Sequence, residues 1–228
     1  MMIIDKNKTY SILTGDIVGS KKFKGTDREL LHECFESASQ NMLDSFSEFV
    51  PYSPEFFRGD SWQFLVADPF MSLRIGIFFR SLIKACMQKN SVDTRISIGL
   101  GSIEFLPAGR VSSGDGDAFR LSGGGLDRIH KPDRMGIFFP AYLESDVTRA
   151  VEVIVKLIDL KAKEWTGKQA RAVSGALLGL TQALIARDWF NKEVTQQAVG
   201  QHLDRAGYAT IALAIEYFER QLPVILDR

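Results

Sequence analysis

This sequence has few side chains suited to thiol, imidazole or metal-cluster chemistry. Of its 228 residues, two are cysteine and three are histidine. Cys34 and Cys86 lie far apart in amphipathic helical patterns, which predicts buried thiols rather than a disulfide or a zinc site. His32 falls within a helical pattern and His130 at an expected helix end. Neither has a Ser, Cys or Asp partner at an informative spacing, so no catalytic triad is indicated. Net charge is also lacking: 28 basic residues balance 28 acidic ones. Nothing then draws the whole chain to nucleic acid or an anionic membrane, and any such partner must meet a local patch. No apolar run approaches the roughly 20 residues of a membrane span. The opening MMIIDKNKTY has no leader-like apolar core, so the cytoplasm is the expected compartment and no membrane partner is expected. Internal repeats and low-complexity segments are absent.

With 45% hydrophobic residues, the chain can bury a sizeable core, either as one large domain or as a domain with an appendage. The organising stretch is Tyr10 to Ser20, YSILTGDIVGS. It reads as a strand over 10–13, a polar turn at Thr14-Gly15-Asp16, and then Ile17 to Ser20. A carboxylate at the end of a buried strand packs poorly but is well placed to hold a cation. Gly15 and Gly19 would let a ligand approach the backbone. A second apolar stretch, FFRGDSWQFLV over 56–66, is split by Gly59-Asp60, a hairpin signal. Asp16 and Asp60 are therefore expected on adjacent strand ends, where their repulsion calls for a proton or a cation. Mg2+ suits one or two carboxylates with phosphate oxygens. Turn aspartates with Asx-type hydrogen bonds are the plainer reading.

Helical spacing is expected over 28–50 and from Asp68-Pro69 to Asn90-Ser91, with strands at 55–58, 62–67, 94–101 and 135–139. Residues 102–117 read as surface loop. Residues 117–131 have moderate helical character, broken by Gly123-Gly124-Gly125. A loop extended to Gly125 is the plainer reading, because three glycines inside a helix cost about 3 kcal/mol relative to alanine; a backbone or ligand packed tightly against them is the alternative. A further helix is expected over 141–163. The order, β-α-β-β-α-β-(α)-β-α, predicts a ferredoxin-like α+β domain over 1–163. Residues 164–228 contain no β-rich run. They predict an all-helical domain with helices at 166–180, 181–188 and 195–221. Lys21, Lys22 and Lys24 read as a solvated run that could also steer a polyphosphate.

TGDIVGS, RGDSWQF, RISIGLG and SGDGDAFRLSGG together resemble the motif series of the SatD-like family and, more distantly, of class III nucleotidyl cyclases, over most of residues 8–140. The resemblance implies a cyclase-like domain with metal ligands at Asp16, Asp60 and the carbonyl of Ile17. It makes Mg2+ the implied cofactor and a nucleotide or other phosphate ligand the implied partner. Gly19, Gly59, Arg120 and Arg128 are candidate nucleotide contacts. Aligned on Gly116-Asp117, the two transition-state positions of the cyclases hold Arg120 and Gly124, neither the family's residue. Without differential stabilisation of a transition state there is little rate. The stretches 181–186 and 195–203 look like the helix-turn-helix that ends SatD-like proteins. In that arrangement Leu184, Ile185, Ala186, Val199 and Leu203 pack inward. Lys192, Thr195, Gln196, Gln197, Gln201 and His202 face DNA, where Gln suits adenine.

Three functions are consistent with this. The first is a nucleotide- or metal-responsive regulator with a DNA-binding helix-turn-helix, acting as a homodimer. The second is a divergent Mg-dependent cyclase or phosphotransfer enzyme. The third is a non-catalytic helical interaction protein.

Overall fold

The computed structural model describes residues 2–57, 59–88, 91–107, 110–190 and 192–227. Arg58, expected to end a strand, and Asn90, expected to stop a helix, lie outside the described residues. Five strands form one sheet: β1 Tyr10–Ile17, β2 Glu55–Phe57, β3 Ser61–Val66, β4 Thr94–Gly101 and β5 Met135–Phe138, in the order β2-β3-β1-β4-β5. The β2–β3, β3–β1 and β1–β4 pairs are antiparallel, and β5 runs parallel to β4. Helices α1 (Thr26–Phe46) and α2 (Ser72–Cys86) connect these strands in the β-α-β-β-α-β series expected from the order of elements. Helix α3 (Asp117–Arg128) makes the crossover from β4 to β5.

The strand alternation decides which helix covers which face. Leu13, Ile17, Trp62, Phe64, Ile96, Ile98 and Leu100 belong to the core shared with α1 and α2. Tyr10, Ile12 and Leu65 point the other way and pack with Ala118 and Phe119 of α3. On that second face the sheet is lined by small residues. A Cβ on Gly99 would lie 2.3 Å from the Ser122 nitrogen, so helix and sheet meet backbone to backbone.

This packing corrects the expectation of a loop up to Gly125. Helix α3 runs through all three glycines. A Cβ on Gly125 would lie 2.2 Å from the Phe138 ring and 2.4 Å from Ser97 Oγ. At Gly125 the propensity cost is met by a close helix-sheet contact that a side chain would block, whereas a Cβ on Gly123 or Gly124 would meet nothing within 4 Å. Gly15 is a second correction. What approaches it is the Trp62 ring, 2.2 Å from where a Cβ would stand, and not a ligand. Trp62 stacks on Phe64 at 5.5 Å and donates to Thr94 Oγ1 at 2.8 Å. Thr94 Oγ1 in turn donates to the Asp16 carbonyl at 2.7 Å.

Three further boundaries differ from expectation. Strand β1 continues through Asp16 to Ile17, because β4 pairs with it along its whole length and β3 pairs with it as far as Asp16. Helix α1 ends at Phe46, four residues before Val50, and its last carbonyl accepts from both Phe49 and Val50 nitrogens. Cys34 and Cys86 are not free thiols but a disulfide joining α1 to α2, with Cα atoms 5.8 Å apart. The two helices lie side by side on one face of the sheet, a proximity that spacing along the chain cannot reveal.

After α4 (Asp146–Ala162), capped reciprocally by Ser145 and Thr148, come α5 Gly167–Leu177, α6 Gln182–Arg187, α7 Gln196–Ala206 and α8 Tyr208–Leu226. The single helix expected over 195–221 is two. Gly207 adopts φ 68°, the left-handed conformation that ends α7 and that glycine takes without steric cost. The expected domain boundary at 163/164 falls in the turn between α4 and α5. No break in the core accompanies it: Leu73 and Ile83 of α2, Val173 of α5 and Phe218 of α8 belong to one buried cluster. Arg74 pairs with Glu219 at 2.6 Å, and Trp165 Nε1 donates to the Ala206 carbonyl at 3.0 Å.

Candidate functional site

Asp16 is the next-to-last residue of β1 and faces the α3 side of the sheet. The antiparallel register sets Ser61 of β3 on one side of it and Arg95 of β4 on the other. Arg95 uses its fork on this carboxylate: Nε donates to Oδ1 at 2.8 Å, and a terminal nitrogen donates to Oδ2. Its remaining terminal nitrogen donates to the Ile129 carbonyl at 3.0 Å, just past the end of α3. The guanidinium is held above its ordinary pKa chiefly by the hydrogen bond with Asp16. Burial opposes this, and the charges of Asp16, Asp127 and Asp60 add to it.

Asp60 follows Gly59 at the β2–β3 turn. Its carbonyl accepts from the Ile17 nitrogen at 3.1 Å, and its carboxylate accepts from Ser20 Oγ. Sequence and structure thus agree that Asp16 and Asp60 occupy neighbouring strand ends. Between them opens a cleft of about 520 Å³ lined by Asp16 to Lys22, Asp60, Arg95, Ile129, Lys131 and Arg134. Five cationic side chains therefore face two carboxylates. Lys21, Lys22 and Lys131 are exposed, while Arg134 is half-buried.

The donor set does not fit Mg2+ as arranged. Both oxygens of Asp16 are engaged by a guanidinium, and among the described residues no group of three His, Cys, Asp or Glu side chains is placed to hold a metal. The expected cation shared by Asp16, Asp60 and the Ile17 carbonyl is thus replaced at Asp16 by Arg95.

The other nucleotide-contact candidates are dispersed. Gly19 lines the cleft. Gly59 lies outside it, its carbonyl accepting from Arg28 at 3.2 Å. Arg120 does not line the cleft: it is in the first turns of α3, whose opposite end adjoins the cleft, and it pairs with Glu104, Asp115 and Asp117. Arg128 also lies outside, with its guanidinium 4.4 Å from the Phe138 ring centroid. Sequence reasoning missed Arg95, Ser20, Lys131 and Arg134. Arg95 had a usable signal, since strand alternation sets it on the face opposite Ile96, Ile98 and Leu100.

Beneath the cleft lies a second ionic cluster. Arg80 of α2 is fully buried and forks onto Asp93 at 2.8 and 2.7 Å, with a third bond to Asp159 of α4 at 2.7 Å. Burial works to raise the Asp93 pKa, but the Arg80 hydrogen bond and charge outweigh it and hold Asp93 below the ordinary carboxylate value. Burial lowers the neighbouring Lys84. The cluster fixes the cleft floor through backbone atoms: Asp93 accepts from the Val18 nitrogen through its carbonyl, and Asp159 from the Arg134 nitrogen.

Helices α6 and α7 form the expected pair. Thr181 and Thr195 cap them, and Ile185, Ala186, Val199 and Leu203 are buried. Lys192, Thr195, Gln196, Gln197 and Gln201 are exposed. Two expectations fail. Leu184 points outward, 46% exposed. His202 is turned away from the open face and stacks on Trp189 at 5.3 Å, its pKa lowered first by burial and then by Lys168 and Arg205.

No protein-family model matches this chain, and no curated protein does. Among solved structures it is similar to the adenylyl cyclase CyaB from P. aeruginosa, with 15% identity and a TM-score of 0.41 over 57% of this chain and 76% of that one. It is similar also to the guanylyl cyclase Cya2, with 14% identity and a TM-score of 0.40 over 62% of this chain and 78% of that one.

Proposed function

We propose that this protein is a regulator that binds a phosphorylated, nucleotide-like ligand in the cleft at the end of β1 and transmits the binding through its helical half. The observation that carries this is the cleft lining, in which Lys21, Lys22, Lys131 and Arg134 face a space where Asp16 is already neutralised by Arg95. Lysine and arginine on opposite lips of a cleft suit phosphate oxygens. Transmission has a short route. Asp93 and Asp159 link the cleft backbone to Arg80 of α2, and α2 carries α5 and α8 on its outer side.

Binding is the favoured role over turnover. The cleft offers charge and shape, but Arg120 is paired at the far end of α3 and Gly124 carries no side chain, so neither contributes to a transition state. Calorimetric titration with pyrophosphate and with nucleoside triphosphates tests the reading. Binding that is weakened by Lys22→Ala and Lys131→Ala is expected. No heat with any phosphate ligand overturns it, and steady formation of cyclic nucleotide would replace it with the enzyme reading.

The exposed Gln196, Gln197 and Gln201 on α7 favour DNA as the output partner. Basic residues are sparse around them, and phosphate contacts supply most non-specific affinity, so such binding requires two copies of the chain. Exposed Val153, Leu157 and Leu160 on α4 and Leu213 on α8 support that self-association.

A further inference from the structure

We infer that Arg95 is the resident cation of the cleft, so that a phosphorylated anion binds directly to protein cations with no bridging divalent metal. This rests on the cleft being the ligand site proposed above. Two strand-end carboxylates would by themselves repel phosphate and attract a divalent cation. Arg95 changes both properties. It engages the two oxygens of Asp16 that a metal would need, and its charge also acts on Asp60.

Arg95 is fixed in this role. All three of its nitrogens donate to protein oxygens, those of Asp16, Leu126 and Ile129. It is therefore not poised to swing onto the ligand. A guanidinium also stays charged at every physiological pH, so Arg95 is a permanent cation at this position. Direct contacts to the anion fall to Lys21, Lys22, Lys131 and Arg134. Arg95 acts through Asp16 as a neutralising and positioning residue.

The test uses the full chain, pyrophosphate as the probe, and Mn2+ followed by electron paramagnetic resonance. Wild type is expected to bind pyrophosphate in EDTA, with no tightening when Mg2+ is added, and to bind no Mn2+. Arg95→Ala is expected to lose pyrophosphate affinity about tenfold in EDTA and to gain a Mn2+ site at Asp16 and Asp60. Arg95→Lys keeps the charge and is expected to keep Mn2+ out. It serves as the second variant should Arg95→Ala fail to fold, and Mn2+ binding to it would count against the inference.

Pyrophosphate binding that requires Mg2+, or Mn2+ bound by wild type, overturns the inference. So does a folded Arg95→Ala that takes up no Mn2+, because Arg95 then occupies no metal's place. If pyrophosphate binds under neither condition, the phosphate reading of the cleft fails, and the Mn2+ titrations decide the role of Arg95 alone.

Discussion

Two arginines in this protein make the same forked bond to an aspartate, and their surroundings differ. Arg80 is wholly enclosed, with its fork on Asp93 and a further bond to Asp159. Arg95 has a side chain 30% exposed beside an open cleft, and its fork is on Asp16. An enclosed guanidinium can only hold elements together, because no ligand reaches it. An arginine at a cleft wall also sets the charge that an incoming molecule meets. Identical pair geometry thus serves architecture in one place and recognition in the other, and solvent access separates the two.

The largest expected effect tests the enclosed member. Arg80→Met leaves the buried Asp159 without a cation and the half-buried Asp93 with only Lys84, at 3.3 Å, and should cost about 3–5 kcal/mol in urea unfolding. A loss below about 1 kcal/mol would show that this cluster is not sealed.

Acid should act on the same cluster. The Asp93 pKa is depressed in the fold, so its contribution is complete above the ordinary Asp value of about 3.9. It declines as pH falls below that value toward the depressed one, as protons bind the unfolded chain first. Urea midpoints measured across this range should fall in wild type and change less in Asp93→Asn, whose starting stability is already lower.

Arg95→Gln should cost no more than about 1 kcal/mol, with a salt dependence that Arg80→Met lacks. A loss as large as that of Arg80→Met would erase the distinction between the two arginines. The smallest effect on stability is expected at Gln197→Ala, within about 0.5 kcal/mol. In gel shifts it should lower sequence preference while Lys192→Ala weakens binding to every fragment. If the full chain retains no fragment even at low salt, the DNA-binding role is lost while the two arginine sites stand unaffected.

What could be read in the sequence followed from short-range periodicity. The strand at 94–101 alternates plainly, and the order of elements implied the sheet. Asp16 and Asp60 were legible as strand-end carboxylates because glycine and apolar runs frame both. Their partner was not, because pairing Asp16 with Arg95 depends on the register of β1 against β4, a long-range fact. The same limit hid the disulfide, which depends on where α1 and α2 lie on the sheet. At Gly125, helix propensity was outweighed by packing against Phe138. At Gly207 the reverse holds: one left-handed residue divides an apolar pattern that otherwise continues.

The shared core has a consequence for how the chain is made. Helix α2 leaves the ribosome long before α5 and α8, yet its outer face packs against them, and Arg74 meets its carboxylate only at Glu219, 145 positions later. Until those positions are synthesised, the outer face of α2 is an uncovered apolar flank. Even the first half of the fold is therefore completed only once α5 and α8 have been made, and a chaperone has its longest opportunity at α2.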